Sequence, residues 1–357
     1  MSDTLSIQSH KGPYSVFFDQ NALAKLNDGA IENVHFIIDR HVADLYADQM
    51  KNVLNSSSVL LLDAEEATKS LDRFPSYVDH FVAHGIRRDH SLFAIGGGII
   101  QDTTCFLAAT ILRGVDWSFM PTTLLSQADS CIGSKSSINS GSAKNILGTF
   151  TPPNEVLIST NFLDTLDPQD VRSGVGEILK VHAIDGPSSF DQIAQDYDEL
   201  FTNSEVMVRY IRRALAIKTS YIEEDEFDRG RRNIFNYGHS FGHALEAATD
   251  FAIPHGIAVT MGMDMANYVA DKLNFGSLNN FERMHSVLNE NYNGFESLEV
   301  PLDPFLTAIS KDKKNLGSGE VTLILPNMEG FLEKTRQPND KIFSGICENY
   351  LASARNL

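Results

Sequence analysis

The strongest constraint on this chain is a succession of short, unbroken apolar runs in its first half. Val34-His35-Phe36-Ile37-Ile38-Asp39, Ser58-Val59-Leu60-Leu61-Leu62-Asp63 and Ser91-Leu92-Phe93-Ala94-Ile95 each lead into a carboxylate or a glycine, and helix-length stretches separate them. A strand with one wet face alternates apolar and polar residues, whereas a strand covered on both faces does not. The spacing therefore predicts buried parallel strands of βαβ units. Ligands of such sheets gather at the carboxyl ends of the strands, which directs attention to the turn after Ile95. Near residue 165 the pattern changes. Asp167-Pro168-Gln169-Asp170 supplies a capping carboxylate and a proline for the first helical position. Apolar residues then recur at helical spacing in 169–183, 205–222, 238–249 and 256–272. The expectation is an α/β N-terminal domain over 1–165 and an all-helical C-terminal domain over 166–357. Beyond about 275 the pattern is less regular, although Glu320-Val321-Thr322-Leu323-Ile324-Leu325-Pro326 reads as a strand or the end of a helix-packed loop.

Charge removes whole classes of function. The 357 residues carry 29 Lys+Arg against 47 Asp+Glu, a formal net charge of −18. Nucleic-acid binding draws its affinity from cationic side chains that neutralise phosphates, and an anionic membrane surface repels an acidic protein, so neither partner is expected. No run approaches the roughly 18 apolar residues of a membrane helix. Cys105, Cys131 and Cys347 form no CxxC pair, and three thiols cannot all pair with one another, which suits a reducing compartment. Met1-Ser2-Asp3-Thr4-Leu5-Ser6 lacks a basic region followed by an apolar run, so a cytoplasmic location is expected.

Four groups of residues could carry chemistry. Gly96-Gly97-Gly98-Ile99-Ile100-Gln101-Asp102 follows a predicted strand and opens a predicted helix. Glycines there let backbone N–H groups approach a pyrophosphate, and a helix N-terminus favours its charge, although the spacing is not GxGxxG and such a run also serves as a plain tight turn. Pro121-Thr122-Thr123-Leu124-Leu125-Ser126-Gln127-Ala128-Asp129, with Lys135, Lys144 and Asn145, offers hydroxyls, an amide and two ammonium groups to phosphate and ribose oxygens. Glu177 lies on a predicted helix, His239 and His243 stand four apart, and His255 follows in Pro254-His255-Gly256. Positions i and i+4 share a helix face. One carboxylate and two imidazoles with open positions make a catalytic zinc set; the spacing leaves open which two histidines bind, and Ser240 excludes the HExxH pattern. Finally, Lys180, Lys218, Arg231, Arg232, Lys311, Lys313 and Lys314 form a basic set within an acidic chain. Lys180 and Lys218 sit among apolar helical residues, where burial demands an anionic partner.

Together these motifs resemble the 3-dehydroquinate synthase family of sugar phosphate cyclases. The resemblance is dense over 91–263, in GGGIIQD, AATILRG, PTTLLSQADS, the Lys144-Asn145 pair, GVGEILK, NYGHSFGHALE and His255-Gly256, with weaker echoes at 66–71 and 312–314. It implies a Rossmann-like N-terminal domain, a helical metal- and substrate-binding domain, tightly held NAD, one divalent ion of the Zn2+ or Co2+ type, and a homodimer. By the same resemblance Glu177, His239 and His255 are metal ligands. Glu66, Lys69, Gly97, Gly98, Asp102, Thr122, Thr123, Lys135, Lys144 and Thr165 serve NAD. Asp129, Lys135, Lys180, Lys218, Arg232, Asn236 and His243 take catalytic places. Arg113, Lys144, Asn145 and Lys314 bind the substrate, with Arg113 reaching its phosphate across the dimer interface. The implied reaction closes 3-deoxy-arabino-heptulosonate 7-phosphate to 3-dehydroquinate by transient oxidation, β-elimination of phosphate, reduction and aldol closure. A substrate bearing both carboxylate and phosphate suits a basic site.

The chain departs from the family where Gln101 and Ser134 replace common glycines and Ser140-Gly141-Ser142-Ala143 replaces a His-Pro-x-Gly stretch. Those changes bear on the substrate more than on the fold. A related cyclase acting on sedoheptulose 7-phosphate or glucose 6-phosphate is the near alternative, while Arg232, Asn236 and His243 match the carboxylate-accepting version. From other classes, a metal-dependent polyol-phosphate dehydrogenase shares the two-domain plan, and a degenerate NAD-binding protein would lack turnover.

Overall fold

The computed structural model describes residues 4–29, 31–141, 143–311 and 319–356. They form two compact units, one of Met1–Leu166 with Lys218–Asp228, the other of Asp167–Ile217 with Arg229–Leu357.

The first unit is built on a seven-stranded sheet. Its strands are β1 (Thr4–Ile7), β2 (Tyr14–Phe18), β3 (Val34–Asp39), β4 (Val59–Leu62), β5 (Ser91–Gly96), β6 (Asp116–Pro121) and β9 (Glu155–Ile158), in the spatial order β1-β2-β9-β6-β5-β3-β4. The pairings from β2 through to β4 are parallel, and only β1 on β2 is antiparallel. The three apolar runs of the sequence are β3, β4 and β5. Phe36, Ile37 and Ile38 of β3 have no exposed surface, and neither do Leu92, Ala94 and Ile95 of β5. Continuous apolarity thus reports cover on both faces. Phe36, Ile38, Phe93, Ile95 and Met120 pack with Val42, Met50 and Val53 into one core cluster. A separate hairpin, β7 (Ile138–Ser140) with β8 (Ala143–Leu147), carries Lys144 and Asn145 on an exposed strand.

The second unit is helical with one addition. Asp167 accepts from the Gln169 N–H at 2.8 Å and starts the helix Pro168–Asp185, as the capping signal predicts. Ser204–Glu224, His239–Ala248, His255–Lys272, Leu278–Tyr292 and Lys341–Ala352 follow as helices. The helix 204–224 contributes its last turns, from Lys218 on, to the first unit. The addition is an antiparallel hairpin of β10 (Glu320–Pro326) and β11 (Leu332–Pro338), which resolves the ambiguous segment as a strand. Among the described residues no helix is long and apolar enough to cross a membrane.

Candidate metal centre and dinucleotide turn

Three helices of the second unit meet at glycines. A Cβ on Gly176 would stand 2.3 Å from the Gly256 carbonyl oxygen, and one on Gly256 only 1.9 Å from that of Ser173. A Cβ on Gly262 would lie 2.0 Å from the Gly238 oxygen, and one on Gly242 3.0 Å from that of Ala258. Gly238 itself has φ +76°, a left-handed conformation that also suits glycine. Each of these contacts lies beside a site residue: Gly176 precedes Glu177, Gly238 precedes His239, Gly242 precedes His243 and Gly256 follows His255. Close backbone approach is therefore what brings the side chains to one point.

Glu177 Oε1 lies 3.8 Å from His239 Nε2 and 3.6 Å from His255 Nε2. His239, His243 and His255 place their ligand nitrogens within 4.8 Å of one another. Glu177 is 1 % exposed. Neither of its oxygens accepts a hydrogen bond of good geometry, although the Lys180 ammonium stands 2.5 Å from Oε2. A buried carboxylate oxygen without a donor, facing two imidazoles, is an arrangement a divalent cation completes. The other ring nitrogens are engaged: His239 Nδ1 with the Tyr237 carbonyl at 3.2 Å, and His255 Nδ1 with the Glu246 carboxylate at 3.3 Å. That pattern leaves both Nε2 atoms as lone-pair donors, and the residues present fit a metal of the zinc type. Burial, then the charge of Lys180 and the neighbouring histidines, holds His239 well below the usual imidazole range, so it stays neutral as a ligand must. For His255 burial acts downward, but the Glu246 and Glu177 carboxylates outweigh it and the net shift is upward. Lys180 is also buried, with its ammonium 5.7 Å from the centre of the Phe235 ring.

In the same unit, Arg232 is buried in the turn Arg231–Asn236 and Asn236 donates to the Asn233 carbonyl at 2.8 Å, while His243 is exposed with its ring 5.3 Å from that of His239. Lys314 lies outside the described residues. Glu246 carried no functional expectation from sequence. Its signal was positional, three residues past His243 and seven past His239, on the same helix face.

In the first unit, β5 ends at Gly96 and Gly97 caps the helix Gly98–Thr110. A Cβ on Gly97 would press on Thr123 at 2.9 Å, whereas one on Gly98 would meet nothing within 4 Å. Gly98 thus leaves open space at a helix N-terminus, which fits the approach of a dinucleotide pyrophosphate. Thr122 N–H donates to the Gly96 carbonyl at 2.9 Å and ties the turn after β6 to the turn after β5. Thr123 shares a hydrogen bond with Ser126 at 2.8 Å. Asp102 accepts from Ser137 N–H at 2.9 Å and from Lys69 at 3.1 Å, and burial raises its carboxyl above the usual range. Lys69 also donates to Asn145 Oδ1 at 2.9 Å and lies 3.5 Å from Glu66. Four expected residues, Glu66, Lys69, Asp102 and Asn145, thereby fall into one polar group with Asn139, which donates to Glu66. Thr165 bonds the Tyr46 hydroxyl at 3.0 Å.

The anion-binding candidates of this unit are not all together. Lys218 is buried and donates to the Asp129 carbonyl at 2.6 Å, with the Asp129 carboxylate at the same distance. Lys135 pairs with Asp228. Arg113 is exposed in a separate turn where Leu112 and Arg113 both have positive φ. Gln101, a departure from the family pattern, turns its amide onto Ser130: Nε2 donates to the Ser130 carbonyl and Oε1 accepts from the hydroxyl, both at 2.6 Å. The extra side chain is thus absorbed by a specific pair.

Comparisons with known proteins bear on the family and the fold. The 3-dehydroquinate synthase N-terminal family model matches residues 59–173, and the 3-dehydroquinate synthase C-terminal model matches 174–315. The 3-dehydroquinate synthase of Aliivibrio fischeri is 35% identical over 318 residues, which is 87% of this chain and 85% of that protein. The 2-epi-5-epi-valiolone synthase of Streptomyces hygroscopicus, solved with NAD+ and Zn2+, superposes with a TM-score of 0.82 at 25% identity over 96% of this chain and 97% of its own. A 2-deoxy-scyllo-inosose synthase solved with carbaglucose-6-phosphate, NAD+ and Co2+ shares the fold at a TM-score of 0.81 and 22% identity, covering 98% and 99%. A glycerol dehydrogenase from Schizosaccharomyces pombe reaches only 0.60 at 15% identity, covering 98% and 90%. The chain belongs to the 3-dehydroquinate synthase family.

Proposed function

We propose that this chain converts 3-deoxy-arabino-heptulosonate 7-phosphate into 3-dehydroquinate with release of phosphate, using bound NAD and one divalent ion of the zinc or cobalt type, as a cytoplasmic homodimer. The observation that carries the reading is the convergence of Glu177 Oε1, His239 Nε2 and His255 Nε2, with the remaining imidazole nitrogens held by Tyr237 and Glu246. Relatives at about a third identity over most of their length carry that activity in their names, and NAD+ with Zn2+ occupies a structural neighbour.

When bound, the two groups supply reversible hydride transfer and polarisation of the substrate oxygens. The residues of the chain supply the rest. Gly97 and Gly98 give a side-chain-free approach to the dinucleotide, with Thr122 and Thr123 beside them and the Glu66, Lys69 and Asp102 group behind. Lys180 sets its ammonium 2.5 Å from Glu177 Oε2 and holds that buried carboxylate in orientation. Lys218 is locked by two oxygens of Asp129 and presents a fixed ammonium to an anionic or alkoxide oxygen. Arg232 and Asn236 are assigned to the substrate carboxylate, and Lys135, Lys144, Asn145, His243, Lys314 and the partner's copy of Arg113 to its phosphate and hydroxyls. A planar guanidinium suits a carboxylate bidentately, which a carboxylate-free sugar phosphate cannot exploit.

Two variants test the assignment. His255→Ala should lose both metal retention and turnover, and full activity without metal would overturn the ligand set. Arg232→Ala should cut turnover of the heptulosonate phosphate far more than that of sedoheptulose 7-phosphate. Equal losses on both would make the arginine structural and remove the argument for a carboxylate-bearing substrate.

A further inference from the structure

We infer that Glu246 is a positioning residue of the metal centre, fixing the tautomer and the donor strength of His255. The inference rests on the metal reading of Glu177, His239 and His255, and extends it to a residue outside that set. Glu246 is 9 % exposed on the helix His239–Ala248, one turn past His243. Its two carboxylate oxygens lie 3.3 and 3.4 Å from His255 Nδ1, so one N–H faces both. This bond selects the tautomer with the proton on Nδ1 and turns the Nε2 lone pair towards Glu177 Oε1, 3.6 Å away. His239 has its tautomer set by a neutral acceptor, the Tyr237 carbonyl. The two imidazoles are therefore held unequally, and the one at the very start of the helix His255–Lys272 receives the charged partner. A carboxylate behind an imidazole raises its basicity towards a metal more than a carbonyl does.

Charge balance supplies an independent reason. Glu177 is the one carboxylate facing both imidazoles among the described residues, and Lys180 stands 2.5 Å from its other oxygen. That ammonium draws on the same carboxylate a cation would use and adds a like charge beside it. Glu246 returns one negative charge on the far side of His255, so the donor set as a whole stays attractive to a dication. The chain also places Glu246 reliably. Its helix is fixed against the His255 helix by the contacts of Gly238, Gly242 and Gly262, and Glu246 carbonyl accepts the Phe251 N–H at 2.8 Å to close the loop that leads to His255.

The experiment measures dissociation constants for Zn2+ and Co2+ by chelator competition, together with the absorption spectrum of the Co2+ form and the melting temperature of the metal-free protein. The proteins are the full chain, E246A, E246Q and H255A. Expected results are a loss of affinity of about 10–100-fold in E246A and a smaller loss in E246Q, which keeps an acceptor but not the charge. A shifted Co2+ spectrum in both and an unchanged metal-free melting temperature complete the expectation. Unchanged affinity and spectrum in E246A, with metal lost in H255A, would overturn the role of Glu246 and leave the metal centre standing. Metal retained in H255A would instead overturn the ligand set itself. Equal weakening in E246A and E246Q accompanied by a lower metal-free melting temperature would reduce Glu246 to a packing residue and also overturn the inference.

Discussion

Gly256→Ala tests the link between helix packing and the metal centre. The added methyl would meet the Ser173 carbonyl oxygen at 1.9 Å, its carbon at 2.6 Å and the Ser173 Oγ at 2.8 Å. Ordinary carbon–oxygen contact begins near 3.4 Å, so the two helices must part by roughly 1.5 Å at this crossing. The obstacle is backbone on both sides, and no rotamer relieves it. Forcing extra volume into such a contact costs about 1–3 kcal/mol. In a unit of 150–250 residues that lowers the melting temperature by roughly 2–4 °C per kcal/mol. His255 is the residue just before it, and Glu177 lies on the opposing helix. Metal–ligand distances tolerate only about 0.2 Å of error, so a displacement of that size should remove His255 from the ligand set. Calorimetry of the metal-free protein with a chelator titration of Zn2+ reads both effects. A variant that melts at the parent temperature and keeps the parent affinity would refute the claim that glycine contact sets the geometry of the site.

Gly98→Ala makes the opposite prediction: with nothing within 4 Å of the new methyl, melting should be unchanged or slightly raised while NAD affinity falls at least about tenfold if a pyrophosphate approaches there; calorimetry and NAD titration decide. Lys180→Met strips the partner from a buried carboxylate, so the metal-free protein should lose about 3–5 kcal/mol and recover part of it when Zn2+ is added; equal losses with and without metal would show that the cation does not reach Glu177. His35 and His182 are buried and held down to about 4 from 6.5, chiefly by burial. Each is neutral when folded and takes up a proton on unfolding below pH 6.5, so their stabilisation is complete above 6.5 and is lost as pH falls towards 4. Denaturant unfolding should show a slope of about 1.4 kcal/mol per pH unit for each proton in that window. His182→Phe, which replaces a ring whose Nε2 has no hydrogen-bond partner and which packs 5.2 Å from Tyr210, should lower the slope by one proton; an unchanged slope would show that His182 does not titrate there.

Much of this fold was legible because its signals are local. Three apolar runs without polar alternation became β3, β4 and β5, and an Asp-Pro start with 3.6-residue periodicity became the helix carrying Glu177. The sheet's edge was harder to read. β1 and β2 are four and five residues long, and β9 has four residues beginning on Glu155, so their identity comes from pairing rather than from pattern. That Lys218–Asp228 belongs to the first unit is equally invisible in a helical period that runs unbroken through Lys218. The convergence of Glu177, His239 and His255 was legible for a physical reason: glycines flank them because backbones must touch where those side chains meet. Glu246 escaped because a glutamate on a helix is ordinarily a solvated charge. Only the meeting of its helix with the start of the next puts it against His255. Gln101 stands where the family commonly has glycine, and its pairing with Ser130 across 29 residues could not be seen in sequence.

The net charge of −18 argues against an anionic substrate only if it is averaged over the chain. Lys69, Lys180 and Lys218 are buried, and cations held in low dielectric act far more strongly on a bound anion than surface carboxylates do. The most direct test of the account follows inorganic phosphate and NADH together while the metal-loaded protein acts on 3-deoxy-arabino-heptulosonate 7-phosphate, with sedoheptulose 7-phosphate and glucose 6-phosphate in parallel. The account predicts phosphate released in step with substrate loss, no net NADH, and a clear preference for the heptulosonate. NADH accumulating without phosphate would contradict it and make the chain a dehydrogenase.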